Sequence, residues 1–173
     1  MTLDLELLEA IYTNKDNDLR SLSDNGNVML IFLRHFGCVF CHEALDDTSK
    51  VLPQLKAMDI KVVFVHMAED NIADEYLAQY GIESEEHISD PDMSLYEYFG
   101  LNKGNFIELY GLKIWQRYMQ LDYKSERDPK LGNIRQMPGI FLIHKDQVLN
   151  SYVHSRTSDK PDYIALASMK QDA

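Results

Sequence analysis

Cysteine is scarce in this chain: two of the 173 residues, at positions 38 and 41. A disulfide framework is thereby excluded, because small exported scaffolds are dense in cysteine, and a bridge between such near neighbours closes too short a loop to staple a fold. Proline (five) and glycine (eight) are few and unperiodic, which rules out collagen-like and low-complexity chains. Long apolar runs are absent too. The longest, Val28 to Leu33, falls far short of the roughly 20 residues that a transmembrane helix needs, so no membrane association is expected. The opening MTLDLELLEAIY carries three acidic side chains and no basic one, unlike an export signal, and a cytoplasmic location is expected. Basic charge is the remaining shortage: 17 Lys and Arg stand against 28 Asp and Glu, a net −11 that argues against nucleic acid as a partner. What is present, 45% hydrophobic residues in a chain of this length, suits a single globular domain spanning 1–173.

The negative charge is local. Residues 66–98 hold ten acidic side chains and no Lys or Arg, so the remainder of the chain is close to neutral. Such a block reads as the solvated face of surface helices. As a docking site it would favour basic partners, in a salt-sensitive way. Residues 113–136 form a mildly basic stretch beside it.

Apolar periodicity supplies the order of elements. Leu3, Leu7, Leu8 and Ile11 predict an N-terminal helix, and SDNGN at 23–27 a turn. VMLIFL at 28–33 and Ile60 to Val65 read as strands buried on both faces, as in a parallel sheet. Between them a helix is expected from about Cys41 to Met58, bent or broken by Pro53. Further helices are expected around Ala73 to Tyr80, after Asp90-Pro91 with Asp90 as cap, and over 106–121 with an interruption at Gly111. Ile140 to Ile143 and Val148 to Val153 read as an antiparallel hairpin, followed by a final helix starting near Asp159 and Pro161. The expected fold is therefore α/β: a central mixed sheet with flanking helices, in which an insertion at roughly 67–135 separates a strand-helix-strand half from a strand-strand-helix half.

Chemistry concentrates at Cys38 and Cys41. A C-x-x-C pair where a buried strand bends into a helix meets unpaired N–H groups and the positive end of the helix dipole, both of which favour a thiolate. A second thiol three residues on can resolve a mixed disulfide or a sulfenic acid. Other readings of the motif exist. Two inert buried cysteines are one, and zinc bound with help from His35, His42 and His66 is another. C-V-F-C-H also matches the c-type haem attachment pattern, with His42 as axial ligand. The weight of the spacing and location favours redox chemistry with no metal and no cofactor. Arg34, His35 and His42 are the side chains placed to support the site, although alternation along the strand cannot bring all three to sulfur. His66 reads as a packed histidine, and Arg156 as a partner of Asp159 or a site residue.

Three stretches together resemble the thioredoxin-like superfamily, and within it the alkyl hydroperoxide reductase/thiol-specific antioxidant group of peroxiredoxin-like proteins. LIFLRHFGCVFCHEAL at 30–45 looks like their active-site segment, HISDPDMSLYEYFGL at 87–101 like a segment in which Asp precedes a short helix ending in Gly, and RQMPGIFLIHKDQVLNSYVH at 135–154 like the strand pair introduced by a loop proline. The resemblance implies a thioredoxin-like fold and makes Met137-Pro138 a candidate cis peptide with Pro138 beside the cysteines. The thioredoxin analogy makes Cys38 the attacking thiol and Cys41 the resolving one, whereas alignment with peroxiredoxins on Cys41 reverses the roles. In that alignment Arg34 stands where Pro is usual and Cys38 where Thr is usual.

The expected function is that of a thiol-dependent redox enzyme, exchanging disulfides or reducing peroxides, with a small thiol or thiol protein as reductant. The competing class is a non-catalytic thioredoxin-like interaction module using the acidic block and the aromatic 106–118 stretch. An exposed aromatic stretch would also suit a homodimer.

Overall fold

The computed structural model describes residues 1–168. Five strands form one mixed sheet: β1 (Asn27–Phe32), β2 (Ile60–His66), β3 (Glu86–Ser89), β4 (Gly139–His144) and β5 (Gln147–Val153), in the order β3-β2-β1-β4-β5. β1 pairs parallel with β2, and β2 with β3; β4 runs antiparallel to both β1 and β5. This is the thioredoxin-like arrangement expected of the chain.

The unbroken apolar runs are explained by cores on both faces of the sheet. Met29, Ile31 and Leu33 join one cluster with Val62, Phe64 and Ile140. The alternate residues Val28, Leu30 and Phe32 join the other with Val63, Val65 and Phe141. The first face is covered by α3 (Val39–Ala57), α4 (Asp70–Ala78) and α8 (Tyr163–Ala167). The second takes α1 (Leu5–Ala10), α2 (Leu19–Asn25) and α5 (Ser94–Tyr98). α6 (Phe106–Tyr110) and α7 (Leu112–Tyr118), separated at Gly111 as expected, approach the end of the sheet where the cysteines lie. No helix among the described residues is long and apolar enough to cross a membrane.

Several expectations are corrected. β3 lies inside the stretch read as an insertion: EHIS is short and half polar, yet it adds a parallel strand beyond β2. α2 runs into the 23–27 sequence read as a turn and is started by Asp18, whose carboxylate accepts from the Ser21 N–H. α3 is not broken at Pro53 but continues past it, with the proline at an exposed position. α5 begins at Ser94 rather than directly after Pro91; Asp90 still caps it, accepting from the Leu95 and Tyr96 N–H groups. α8 is capped by Asp162 rather than Asp159, whose carboxylate instead accepts from the backbone N–H groups of Ser155 and Arg156.

The acidic block is not wholly a solvated face. Glu85, Glu86 and Asp90 are buried, with Glu85 paired to Lys56 and Glu86 to Lys61, Thr13 and Asn17. Finally, no peptide bond among the described residues is cis, so Met137-Pro138 is trans; Met137 N–H donates to Asn102 O in this conformation.

Candidate active site

β1 ends at Phe32, and the chain bends through residues 33–37 before Cys38 caps α3. The end of the strand is pinned from below by Tyr96, whose buried hydroxyl donates to the carbonyls of Leu33 and Val65. From above, the 126–131 segment straps the bend. Glu126 N–H donates to Gly37 O at 2.9 Å, and Phe36 N–H to Leu131 O at 3.0 Å. The approach is so close that a β-carbon on Gly37 would lie 2.0 Å from the Glu126 carbonyl oxygen, so only glycine fits.

Cys38 and Cys41 are both buried and unbridged, at 7% and 2% exposure. They occupy the cap and the first turn of α3, where Cys41 N–H donates to Cys38 O at 2.9 Å. Their surroundings differ. Burial, reinforced by negative charge on Cys38 and opposed by Arg34, pushes the Cys41 thiol far above the ordinary thiol range. Cys38 receives a hydrogen bond from Arg34 Nη1 at 2.8 Å.

Arg34 is itself buried, at 6% exposure. Its Nε donates to Gln136 O at 3.2 Å and its Nη2 to Ile134 O. Two neutral carbonyls hold the guanidinium, and among the described residues no carboxylate forms an ion pair with it. Of the three groups that accept from the guanidinium, Cys38 Sγ is the ionisable one.

The other supporting candidates divide. His35 is buried and lines the same pocket as Cys38; burial, with the nearby charges of Arg34 and Arg127, pushes its pKa down to about 4, so it is neutral near pH 7. His42 is turned toward aromatic groups, hydrogen-bonded through Nδ1 to the Tyr80 hydroxyl at 2.7 Å and stacked on Tyr123. Pro138 lies with Arg34, Cys41 and His154 around a small cavity of about 30 Å³ on the Cys41 side, enough for a single water.

On the Cys38 side a larger pocket of about 260 Å³ opens to solvent. Its walls are mostly apolar, from Phe40 on α3, Leu109 on α6 and Ile114, Trp115 and Tyr118 on α7, with Arg34 and Arg127 as cations. Trp115 is 60% exposed, unusual for a side chain of that size. Sequence reading missed Arg127 and this apolar wall; the aromatic stretch that forms it had signalled a surface for a partner rather than a pocket over sulfur.

The sequence profile of the AhpC/TSA antioxidant enzyme family matches residues 48–158. The matched span begins after both cysteines. A prostamide/prostaglandin F synthase from Xenopus tropicalis is 25% identical over 161 residues, covering 89% of this chain and 77% of the relative. Among solved structures, the bacterioferritin comigratory protein of Xanthomonas campestris superposes with a TM-score of 0.59 at 15% identity, covering 89% of this chain and 86% of that one. Peroxiredoxin 6 of Arenicola marina gives 0.64 at 9% identity, covering 91% and 66%. At such identities these two show the fold alone.

Proposed function

Because the chain belongs to the AhpC/TSA antioxidant enzyme family, we propose that it is a thiol-dependent peroxidase in which Cys38 attacks and Cys41 resolves. The observation that carries the reading is the hydrogen bond from buried, otherwise uncompensated Arg34 to Cys38 Sγ. It favours the order suggested by thioredoxin over the one obtained by aligning Cys41 with the peroxiredoxin cysteine.

The chemistry then runs as follows. The Cys38 thiolate attacks the terminal peroxide oxygen; the S–O bond forms as the O–O bond breaks, and the electron pair leaves with the alkoxide, which takes a proton to become the alcohol. Arg34 is placed to stabilise the negative charge on sulfur at the start and on oxygen as it departs. The Cys41 sulfur next attacks the Cys38 sulfenic acid, its own proton leaving with the hydroxyl as water, and a Cys38–Cys41 disulfide results. Burial keeps Cys41 as a thiol until that step. An external thiol reductant restores both sulfurs by disulfide exchange.

The pocket over Cys38 extends the proposal to substrate: a peroxide bearing an apolar chain, with Arg127 available to an anionic head group. Support comes from a solved relative described for alkyl peroxide reduction and from a curated relative named for prostamide and prostaglandin F. The test is peroxide consumption with a thiol reductant by the wild type, Cys38→Ser, Cys41→Ser and the double variant. The wild type should turn over and Cys38→Ser should match the double variant. A wild type no faster than the double variant makes the chain a non-catalytic member of its family.

A further inference from the structure

Away from the cysteines, a second cluster of polar side chains is built into the sheet. His66 closes β2, and His87 lies on the neighbouring strand β3, opposite Phe64. Side chains two apart share a face, so the two imidazoles meet diagonally. Both are fully buried at 0% exposure, with His66 Nε2 2.9 Å from His87 Nδ1. α4 packs against this edge and turns two aspartates toward the pair, Asp70 and Asp74, four residues apart and so on one helix face. Asp70 Oδ1 is 3.5 Å from His87 Nδ1, and Asp74 Oδ1 is 2.9 Å from His87 Nε2.

We propose that His66 Nε2, His87 Nδ1 and Asp70 Oδ1 form a binding site for a divalent transition-metal ion such as Zn²⁺, with a solvent molecule completing the coordination. The three donor atoms lie within 4.8 Å of one another. A tetrahedral ion with bonds of about 2.0–2.1 Å holds its ligand atoms about 3.4 Å apart, and the 2.9 and 3.5 Å separations fall close on either side. Asp74 supplies what a metal-binding histidine ordinarily has, a carboxylate on its other nitrogen: it accepts from His87 Nε2–H and so leaves the Nδ1 lone pair facing the site. His66 makes room for the ion by changing tautomer. With Asp74 holding the His87 hydrogen on Nε2, the 2.9 Å contact without metal takes His66 Nε2–H as its donor; on binding, that hydrogen sits at the buried Nδ1. No proton is lost from either imidazole. The carboxyl groups of Asp70 and Asp74 are more than half exposed, which gives the ion its entry path.

The site is separate from the sulfurs but linked to their frame. Phe36 packs against His66 with ring centroids 5.5 Å apart and the planes tilted by 44°, and Phe36 belongs to the bend that presents Cys38. The ion would therefore cross-link β2, β3 and α4 behind that bend, in a structural role.

Isothermal calorimetry with Zn²⁺ on the full chain carrying Cys38→Ser and Cys41→Ser tests this without competition from thiolates. One equivalent should bind, and the melting temperature should rise with Zn²⁺ concentration. Asp70→Asn, a change at an exposed position, should weaken binding at least tenfold, and Asp74→Asn by about 10- to 100-fold. Failure of the double-serine protein to bind one equivalent, or binding that Asp70→Asn leaves intact, would overturn the assignment.

Discussion

Arg34 reaches forward four residues along the bend between β1 and α3 and donates to Cys38 Sγ at 2.8 Å, while the carbonyls of Ile134 and Gln136 hold its other nitrogens. The relationship ties the Cys38 sulfur to a loop about a hundred residues away in sequence. Its energetic content is directional: charge-assisted bonds are roughly twice as strong as neutral ones, and Arg34 has no carboxylate with which to share its charge among the described residues.

Replacing Arg34 by Gln keeps a donor of similar reach but removes the charge. Peroxide consumption should fall by about 10²-fold, the usual consequence of losing one preorganised electrostatic contact, with alkylation of Cys38 by iodoacetamide slowed in parallel. Stopped-flow kinetics with the variant would show both. An alkylation rate equal to the wild type would mean that the contact does not govern the reactivity of this sulfur.

Trp115 forms part of the apolar wall of the pocket that Cys38 lines and makes none of the hydrogen bonds that hold Arg34 and the sulfur. Trp115→Ala should raise KM for a long-chain alkyl hydroperoxide by roughly tenfold, equivalent to about 1.4 kcal/mol of lost apolar contact. Turnover of hydrogen peroxide should be nearly unchanged. Equal effects on the two peroxides would remove the pocket from substrate recognition.

Gly37 has no room for a side chain under the Glu126 carbonyl. Gly37→Ala should push the 126–131 strap from the bend at a cost of about 1–3 kcal/mol, lowering the melting temperature by several degrees. Differential scanning fluorimetry reads the shift, and an unchanged melting temperature would show that the strap does not clamp the bend.

His35 sets an acid limit. Its pKa is lowered from 6.5 to about 4 by burial and by the charges of Arg34, Arg127 and His42. The unfolded chain takes up this proton near pH 6.5 while the folded chain refuses it until about pH 4, so stability is full above that window and falls as pH decreases through it. The slope is at most about 1.4 kcal/mol per pH unit from this group. Urea unfolding at pH 7 and pH 4.5 should show a smaller loss for His35→Gln than for the wild type; equal losses would assign the acid sensitivity to other groups.

Much of this architecture is legible in the sequence, and the exceptions have physical reasons. β1, β2 and β4 announce themselves because residues such as Leu30 and Ile31 are buried on opposite faces, leaving apolar runs such as VMLIFL, VVFV and IFLI. β3 does not, because His87 and Glu86 are buried through hydrogen bonds rather than apolar contact, which composition cannot distinguish from exposure. C-x-x-C at a strand-to-helix bend points to the two sulfurs directly. That Arg34, rather than His42, meets Cys38 depends on the path of the bend and on carbonyls from residues 134 and 136, and neither is encoded by local spacing.

The division of labour between the sulfurs is the central claim, and intact-protein mass spectrometry after one equivalent of alkyl hydroperoxide tests it most directly. The wild type should form an internal Cys38–Cys41 disulfide. Cys41→Ser should gain one oxygen at Cys38 as a trappable sulfenic acid, and Cys38→Ser should gain none. Oxygen added at Cys41 in the Cys38→Ser protein, with Cys41→Ser inert, would contradict the account and reverse the two roles.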